Sequence, residues 1–385
     1  MSISVAIVIP AYREATYIEK TLVSIEKSVQ YSIEKNWIPR VIVVVNNPTG
    51  VSDSFRRENQ LLIQSLMDLR STLSFPLDVL DYTDPGIKNG VGEARKIGMN
   101  YAIAKYLNDP KDLIVSLDAD CTVELNYVSA LFQIHLKGSA FTLYFEHALD
   151  SESIIFYELY IRYLRWGHIK ANSPFAHYSV GSSLGTNVEN YTKIGGMTPR
   201  SATEDFHFLN KLRRQGPIQY NTSTTVKPSS RQSERVTLGT GYFLTKSKTD
   251  FEQAFSKLML PHPADFEKLK SAISILENFD GTSSLNDLFQ KNDLSDVYQD
   301  LHKNGVIEKI YKIFETTTQV KIYQNRIMEV FDGLETLRTL RSMWIKNNNH
   351  ITKEMFMDWC NQLWETTISS PKEMLLHVRK LEKEL

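Results

Sequence analysis

Cysteine is scarce: Cys121 and Cys360 are the two in 385 residues. So few thiols argue against a disulfide framework and fit a reducing compartment, and neither sits among the partners of a zinc site. Long apolar runs are missing as well. No stretch approaches the ~20 residues that span a bilayer, and the opening Met1-Ser2-Ile3-Ser4-Val5 carries no basic leader before its strand-like pattern begins. Charge of one sign is not in excess. There are 44 Lys and Arg against 45 Asp and Glu, a formal net charge of -1, unlike proteins that hold nucleic acid non-specifically. No internal repeat, low-complexity tract or sustained heptad is visible. These absences lead to the expectation of a cytoplasmic globular protein without a nucleic-acid partner, with peripheral contact at the inner membrane face left open.

What is there reads as alternating strands and helices. Val5-Ala6-Ile7-Val8-Ile9 and Val41-Ile42-Val43-Val44-Val45 are short β-branched runs of the kind that become parallel strands covered on both faces. Leu77 to Asp81 and Leu113 to Leu117 are further strand candidates. Between them lie Ile18, Leu22, Ile25 and Val29 at helical spacing, a polar helical stretch from about Ser52 to Leu69, and helix formers from Gly90 to Lys105. The order predicts an α/β fold, a mostly parallel sheet with covering helices. Asn46-Asn47-Pro48-Thr49-Gly50 reads as the turn after the second strand. From about Lys246 the pattern is helical, with Phe251, Phe255, Leu258 and Met259 and then Leu269, Ala272, Ile273 and Leu276, broken at Asp280 to Ser284. The expected division is 1–245 for the α/β domain and 246–385 for a helical C-terminal domain or extension.

Ligands of open α/β sheets bind beyond the carboxyl ends of the strands. There stand Pro10-Ala11-Tyr12, Asn46-Asn47 and Asp118-Ala119-Asp120. Two carboxylates one residue apart suit a hard divalent ion, Mg²⁺ or Mn²⁺, that takes its other ligands from water and phosphate; paired acids in loops are also common without an ion. Glu204-Asp205 opens a helical pattern, where acidic residues ordinarily complement the dipole and where a carboxylate could instead serve as general base. Ser179 to Asn187 and Gly195-Gly196-Met197 read most simply as tight turns. Lys227 to Arg235, followed by Gly239-Thr240-Gly241, is a polar basic loop, either solvated or able to bring Arg231 or Arg235 to a diphosphate. Phe156, Leu159, Tyr160, Tyr163 and Leu164 lie at helical spacing, so core outweighs a sugar-stacking platform for the aromatic-rich region around them. Arg162 and Arg165, one turn apart, read as solvated charge ahead of an anion site.

The collinear series of these pieces resembles the family 2 glycosyltransferases of the GT-A fold. It comprises Val5 to Glu14 with Ile18 and Leu22-Val23-Ser24-Ile25, then Gly90-Val91-Gly92-Glu93-Ala94-Arg95, Asp118-Ala119-Asp120, Gly181-Ser182-Ser183, Gly195-Gly196-Met197, Glu204-Asp205 and Leu212-Arg213-Arg214-Gln215-Gly216. The resemblance runs over roughly residues 3–220. It implies a GT-A-type mixed, mostly parallel sheet flanked by helices. It also implies an inverting, metal-dependent transfer from a UDP- or GDP-sugar to the hydroxyl of a glycan, a lipid-linked or a small-molecule acceptor, with Mn²⁺ or Mg²⁺ as cofactor. By position, Asp120 would hold the metal, and Asp118 the metal shell or the donor ribose. Asp205 would be the base with Glu204 beside it. Pro10, Ala11, Tyr12 and Glu14 fall in the nucleotide-binding first turn, and Arg95 is the basic residue reaching the nucleotide.

The chain also departs from that pattern. Asn46 stands where many members have the Asp that reads the base, and an amide both donates and accepts, which leaves the donor base undetermined. The Gln-x-x-Arg-Trp motif and the membrane helices of processive members are missing, and His262, the nearest later histidine, reads as a surface residue. Competing readings are a sugar nucleotidyltransferase, disfavoured because Pro10 to Glu14 is no basic glycine-rich loop, and a non-catalytic nucleotide-sugar-binding or scaffold protein. A dehydrogenase is discarded because Gly90 to Arg95 neither follows the first strand nor carries the final glycine. Homodimer formation is left open.

Overall fold

The structure, a computed structural model, describes residues 4–34, 36–136, 140–233, 238–317, 319–346 and 351–384. In chain order the elements are β1 (Val5–Ala11), α1 (Ile18–Tyr31), β2 (Arg40–Pro48), α2 (Asp53–Leu69), β3 (Leu77–Ile87), α3 (Gly90–Lys105), β4 (Leu113–Ser116), β5 (Thr122–Val123), α4 (Tyr127–His135) and β6 (Phe141–Phe145). Then follow α5 (Glu152–Lys170), β7 (Leu184–Asn187), α6 (Val188–Lys193), α7 (Glu204–Arg213), β8 (Gln219–Lys227) and α8 (Thr240–Thr249). Helices alone complete the chain: α9 (Phe251–Ser256), α10 (Pro263–Glu277), α11 (Leu285–Lys291), α12 (Ser295–Lys303), α13 (Val306–Thr316), α14 (Val320–Val330), α15 (Gly333–Lys346), α16 (Lys353–Trp364) and α17 (Pro371–Glu384). The expected α/β class, with a mixed sheet, flanking helices and a helical C-terminal region, is what the chain forms.

Two compact units divide these elements. One holds residues 1–150 and 179–242, the other 151–178 and 243–385. This differs from a single cut at residue 245, because α5 belongs with the C-terminal helices.

In the first unit eight strands form one sheet in the order β3-β2-β1-β4-β7-β6-β8-β5. β1 lies parallel to both β2 and β4, and β2 parallel to β3. β7 runs antiparallel to β4 and β6, β8 is parallel to β6, and β5 closes the edge antiparallel to β8. Every residue of β1 and β4 is buried, as two-sided covering requires of parallel strands. Ala6, Val8, Ile42 and Val44 pack with Ala94, Met99 and Ala102 of α3 and with Phe208, Leu209 and Leu212 of α7.

On α1, Leu22 and Ile25 are fully buried, and a stripe of hydroxyls fastens the helix to the segment that follows β4. Thr21 Oγ1 donates to the carbonyl of Ala119 at 2.8 Å, while Ser24 Oγ and Ser28 Oγ accept from the amides of Val123 and Val128.

In the second unit the long helix α5 buries Leu159 and Tyr163. Tyr163 donates to the carbonyl of Pro261 at 2.6 Å and meets the rings of Phe266, Phe356 and Trp364 edge-on. On the same helix Glu158 and Arg162 are wholly buried as charges. Arg162 bonds Glu158 and Glu382, Arg379 donates to both oxygens of Glu158 at 2.8 Å, and Tyr178 and Arg165 also reach Glu382. Arg162 and Arg165 are therefore interior ion-pair partners of α17, which corrects their reading as solvated charge. Burying charge is tolerable only with such partners. Phe156, Tyr163 and Tyr178 are buried as well, as the core reading of that aromatic region requires. No described helix is long and apolar enough to cross a membrane.

Candidate functional site

The strand order changes direction at β1, whose neighbours are β2 on one side and β4 on the other. A crevice opens beyond the carboxyl ends of strands at such a switch point. Asp118 and Asp120 follow β4, and Glu14 follows β1, so the acidic residues singled out by the sequence gather at the predicted end of the sheet. Ligand atoms of Asp118, Asp120 and Cys121 lie within 4.8 Å of one another, the arrangement of a possible metal site.

Asp118 connects to the second acidic motif through Arg95. The guanidinium of Arg95, 3% exposed, donates through Nη2 to Asp118 at 2.5 Å and through Nη1 to the buried Glu204. Burial works against the charge on Arg95, but Asp118, Glu204 and Asp205 outweigh it and raise its pKa. The close approach needs glycine at 181: a Cβ there would stand 2.4 Å from Arg95 Nη2. This gives Gly181 a physical role in letting the chain pass close to Arg95. Next to it Leu184 to Asn187, read as part of a tight turn, is instead β7, with Gly185 opposite Val115.

Asp205 shares the first turn of α7 with Glu204. Loss of solvation pushes its carboxyl up, the Glu204 charge adds to that, and Arg95 and the Phe206 amide at 2.7 Å hold it back, leaving a pKa of about 7. Thr203, just before, sits in the left-handed region at φ 61. Non-glycine residues there store strain of about 1–3 kcal/mol, which tends to gather at functional sites.

The other half of the site is closed by Arg231, from the segment after β8. Its Nε donates to Asp120 at 2.6 Å and its Nη2 to Glu14 at 2.5 Å, with the guanidinium 4.3 Å above the ring of Tyr17. Burial opposes the charge of Arg231, and Asp120 and Glu14 overcome it and raise the pKa. Arg235 lies outside the described residues. Cys121, which lacks the partners of a zinc site in the sequence, is a close neighbour of the acidic pair. Burial first, then the charges of Asp118 and Asp120, push its thiol pKa well up, so it stands there as a neutral thiol.

The nucleotide-side residues occupy the ends of β1 and β2. Pro10 and Ala11 are the last residues of β1, both buried, and Tyr12 follows half-buried. Asn46 and Asn47 belong to β2, which runs on to Pro48, where a turn was expected. A residue the sequence gave no reason to choose ties these ends together. Asn59 of α2, fully buried, donates to the carbonyl of Asn46 at 3.1 Å and to Asn47 Oδ1 at 2.7 Å, and accepts from the amide of Arg13 at 3.0 Å. Asn47 passes the link to the carbonyl of Thr83 in β3 at 2.9 Å. His262, read as a surface residue, is half-buried and caps α10, accepting from the amide of Ala264 at 3.1 Å.

Asp118 and Asp120 together offer carboxylate oxygens with side chains still partly exposed, at 36% and 19%. That donor set fits a hard divalent cation that keeps open positions for water or phosphate.

No family model matches the chain, and no curated protein does. Solved structures do. S. aureus TarS 1-349 is 12% identical over 91% of this chain and 94% of its own, with a TM-score of 0.42. The same protein in complex with UDP-GlcNAc is 11% identical over the same shares at 0.44. The mannosyltransferase PcManGT from Pyrobaculum calidifontis, in complex with GDP-Man and Mn²⁺, is 15% identical over 89% of this chain and 84% of its own at 0.38. Similarity at these levels transfers no residue's role.

Proposed function

We propose that the chain is a divalent-metal-dependent inverting glycosyltransferase of the GT-A type, using a nucleoside-diphosphate sugar as donor and a hydroxyl as acceptor. One observation carries this reading: Asp118, of the Asp118–Asp120 pair at the sheet's switch point, is joined through Arg95 to Glu204, whose neighbour Asp205 is a carboxyl group with a pKa of about 7. Asp118 and Asp120 are the residues to hold Mn²⁺ or Mg²⁺, which when bound offsets charge building on the distal phosphate. Asp205 is the base. Its neighbour Glu204 is engaged by Arg95, whereas Asp205 has a pKa near the working pH, where a base is most effective.

The acceptor oxygen forms a bond to the anomeric carbon as the bond from that carbon to the phosphate oxygen breaks. The nucleoside diphosphate leaves with the bonding pair, and the acceptor proton passes to Asp205. A single displacement inverts the configuration. Pro10, Ala11, Tyr12, Glu14 and Asn46, at the ends of β1 and β2, are the residues to receive the nucleotide, and Arg231 is a candidate partner for its diphosphate.

Incubation with UDP- and GDP-sugars, Mn²⁺ and a mixed acceptor panel, followed by chromatography of the nucleotide products, tests the reading. Release of UDP or GDP supports transfer. Pyrophosphate release would point to a nucleotidyltransferase, and no calorimetric binding of any nucleotide sugar would leave a non-catalytic protein.

A further inference from the structure

The two arginines of the site are held very differently. Arg95 is a 3% exposed side chain on a helix, fixed between Asp118 and Glu204. Arg231 is 20% exposed and sits on a segment without regular structure, held locally by the amide of Arg231 on Ser229 Oγ at 3.3 Å and of Ser233 on the carbonyl of Gly241 at 3.1 Å. Yet Arg231 covers Asp120, a residue whose carboxylate the divalent ion needs. A guanidinium at 2.6 Å and a dication cannot both use that carboxylate at full strength, because their like charges repel at short range.

The charge balance has a second consequence. Glu14, Asp118, Asp120, Glu204 and Asp205 face Arg95 and Arg231, so the group is anionic as it stands. A diphosphate entering alone meets repulsion from it. A dication entering alone competes with Arg231 for Asp120 and takes away one of its two carboxylate partners. Joint entry restores that partner, with Arg231 exchanging Asp120 for a phosphate oxygen.

We infer that Arg231 is an exchangeable counter-ion: it holds the place of the divalent cation on Asp120 and makes cation binding conditional on the diphosphate. The inference rests on the glycosyltransferase reading and extends it to the order in which the site fills.

Binding of Mn²⁺ alone, of UDP or GDP alone, and of each in the presence of the other, measured by Mn²⁺ paramagnetic resonance and calorimetry on the full chain, tests it without turnover. Wild type should bind Mn²⁺ weakly by itself and at least about tenfold more tightly with the favoured nucleotide, a coupling that must be reciprocal. Arg231→Gln should bind Mn²⁺ alone about tenfold more tightly than wild type and lose most of that coupling. Arg231→Lys, which keeps the charge but cannot bridge two carboxylates with a planar fork, should fall between and controls for folding. Unchanged Mn²⁺ affinity in Arg231→Gln, or tighter Mn²⁺ binding with the coupling intact, would reject the exchange while leaving the transferase reading in place. If neither nucleotide promotes Mn²⁺ binding in wild type, both fall.

Discussion

Arg95 and Glu204 stand 109 positions apart and meet as a buried ion pair. The pair joins α3 to the first turn of α7 and, through the second amino group of Arg95, to Asp118 at the end of β4. Replacing Arg95 with Met removes the cation that pairs with Glu204 and Asp118 and leaves those carboxylates beside Asp205. Breaking a buried pair from one side typically costs about 3–5 kcal/mol. Thermal unfolding should show a loss of that order, and Arg95→Lys, retaining charge without the fork, a smaller one.

Asp205→Asn should leave donor binding near wild type and reduce transfer by about 10²–10⁴-fold, the usual contribution of a general base. In wild type, kcat/KM should decline as pH falls through about 7, because the protonated carboxyl cannot accept a proton. Stability runs the other way. Between the ordinary carboxylate range and about 7 the native protein keeps a proton that the unfolded chain has released, so the cost of this residue grows as pH rises through that window. Melting curves should find Asp205→Asn above wild type near pH 8 and level with it near pH 4. Equal separation at both would contradict the raised pKa.

Asn59→Ala would orphan the Arg13 amide and remove a donor from both Asn46 and Asn47. Leaving buried polar groups unpaired costs about 1–3 kcal/mol. Because these groups set the ends of β1 and β2, the expected kinetic signature is a rise in donor KM larger than the fall in kcat. Steady-state kinetics at saturating acceptor would separate the two, and an effect confined to kcat would deny Asn59 a role in shaping the nucleotide side.

Glu382→Gln tests the interior charges of the helical unit. Glu382 is fully buried and receives Arg162, Arg165, Trp166 and Tyr178. Its neutralisation removes the carboxylate charge that Arg162 and Arg165 both face. A loss of about 3–5 kcal/mol is expected, read as a lowered denaturation midpoint by circular dichroism.

Much of the sheet's first half was readable because β1, β2 and β4 are β-branched runs buried on both faces, and α3 matches its sequence-derived limits of Gly90 and Lys105. β3 was legible only to Asp81. Its later residues include Pro85 and Gly86, which read as breakers, but pairing of Pro48 with Ile87 carries the strand through them. β7 and β8 escaped notice for a similar reason. Leu-Gly-Thr-Asn of β7 has little intrinsic strand signal and depends on neighbours, as where Phe141 fills the space beside Gly185, whereas β8 carries strand-forming Tyr, Thr and Val interrupted by Asn221 and Ser223. At the site, the acidic residues and Arg95 could be named from spacing and resemblance. The partnership of Arg231 with Asp120, 111 positions away, and the central place of Asn59 are set by tertiary packing, which no local pattern encodes.

The ion pairs linking α5 to α17 also bear on how the chain is made. Arg162 waits for Glu382, and Glu158 for Arg379, each more than half the sequence further on. A nascent chain emerging from the ribosome therefore carries a segment in which Glu158 and Arg162 have only each other until α17 supplies Arg379 and Glu382, while the strands flanking it in sequence can already pair. Slow or interrupted translation over the final third would leave that segment exposed to proteases and chaperones.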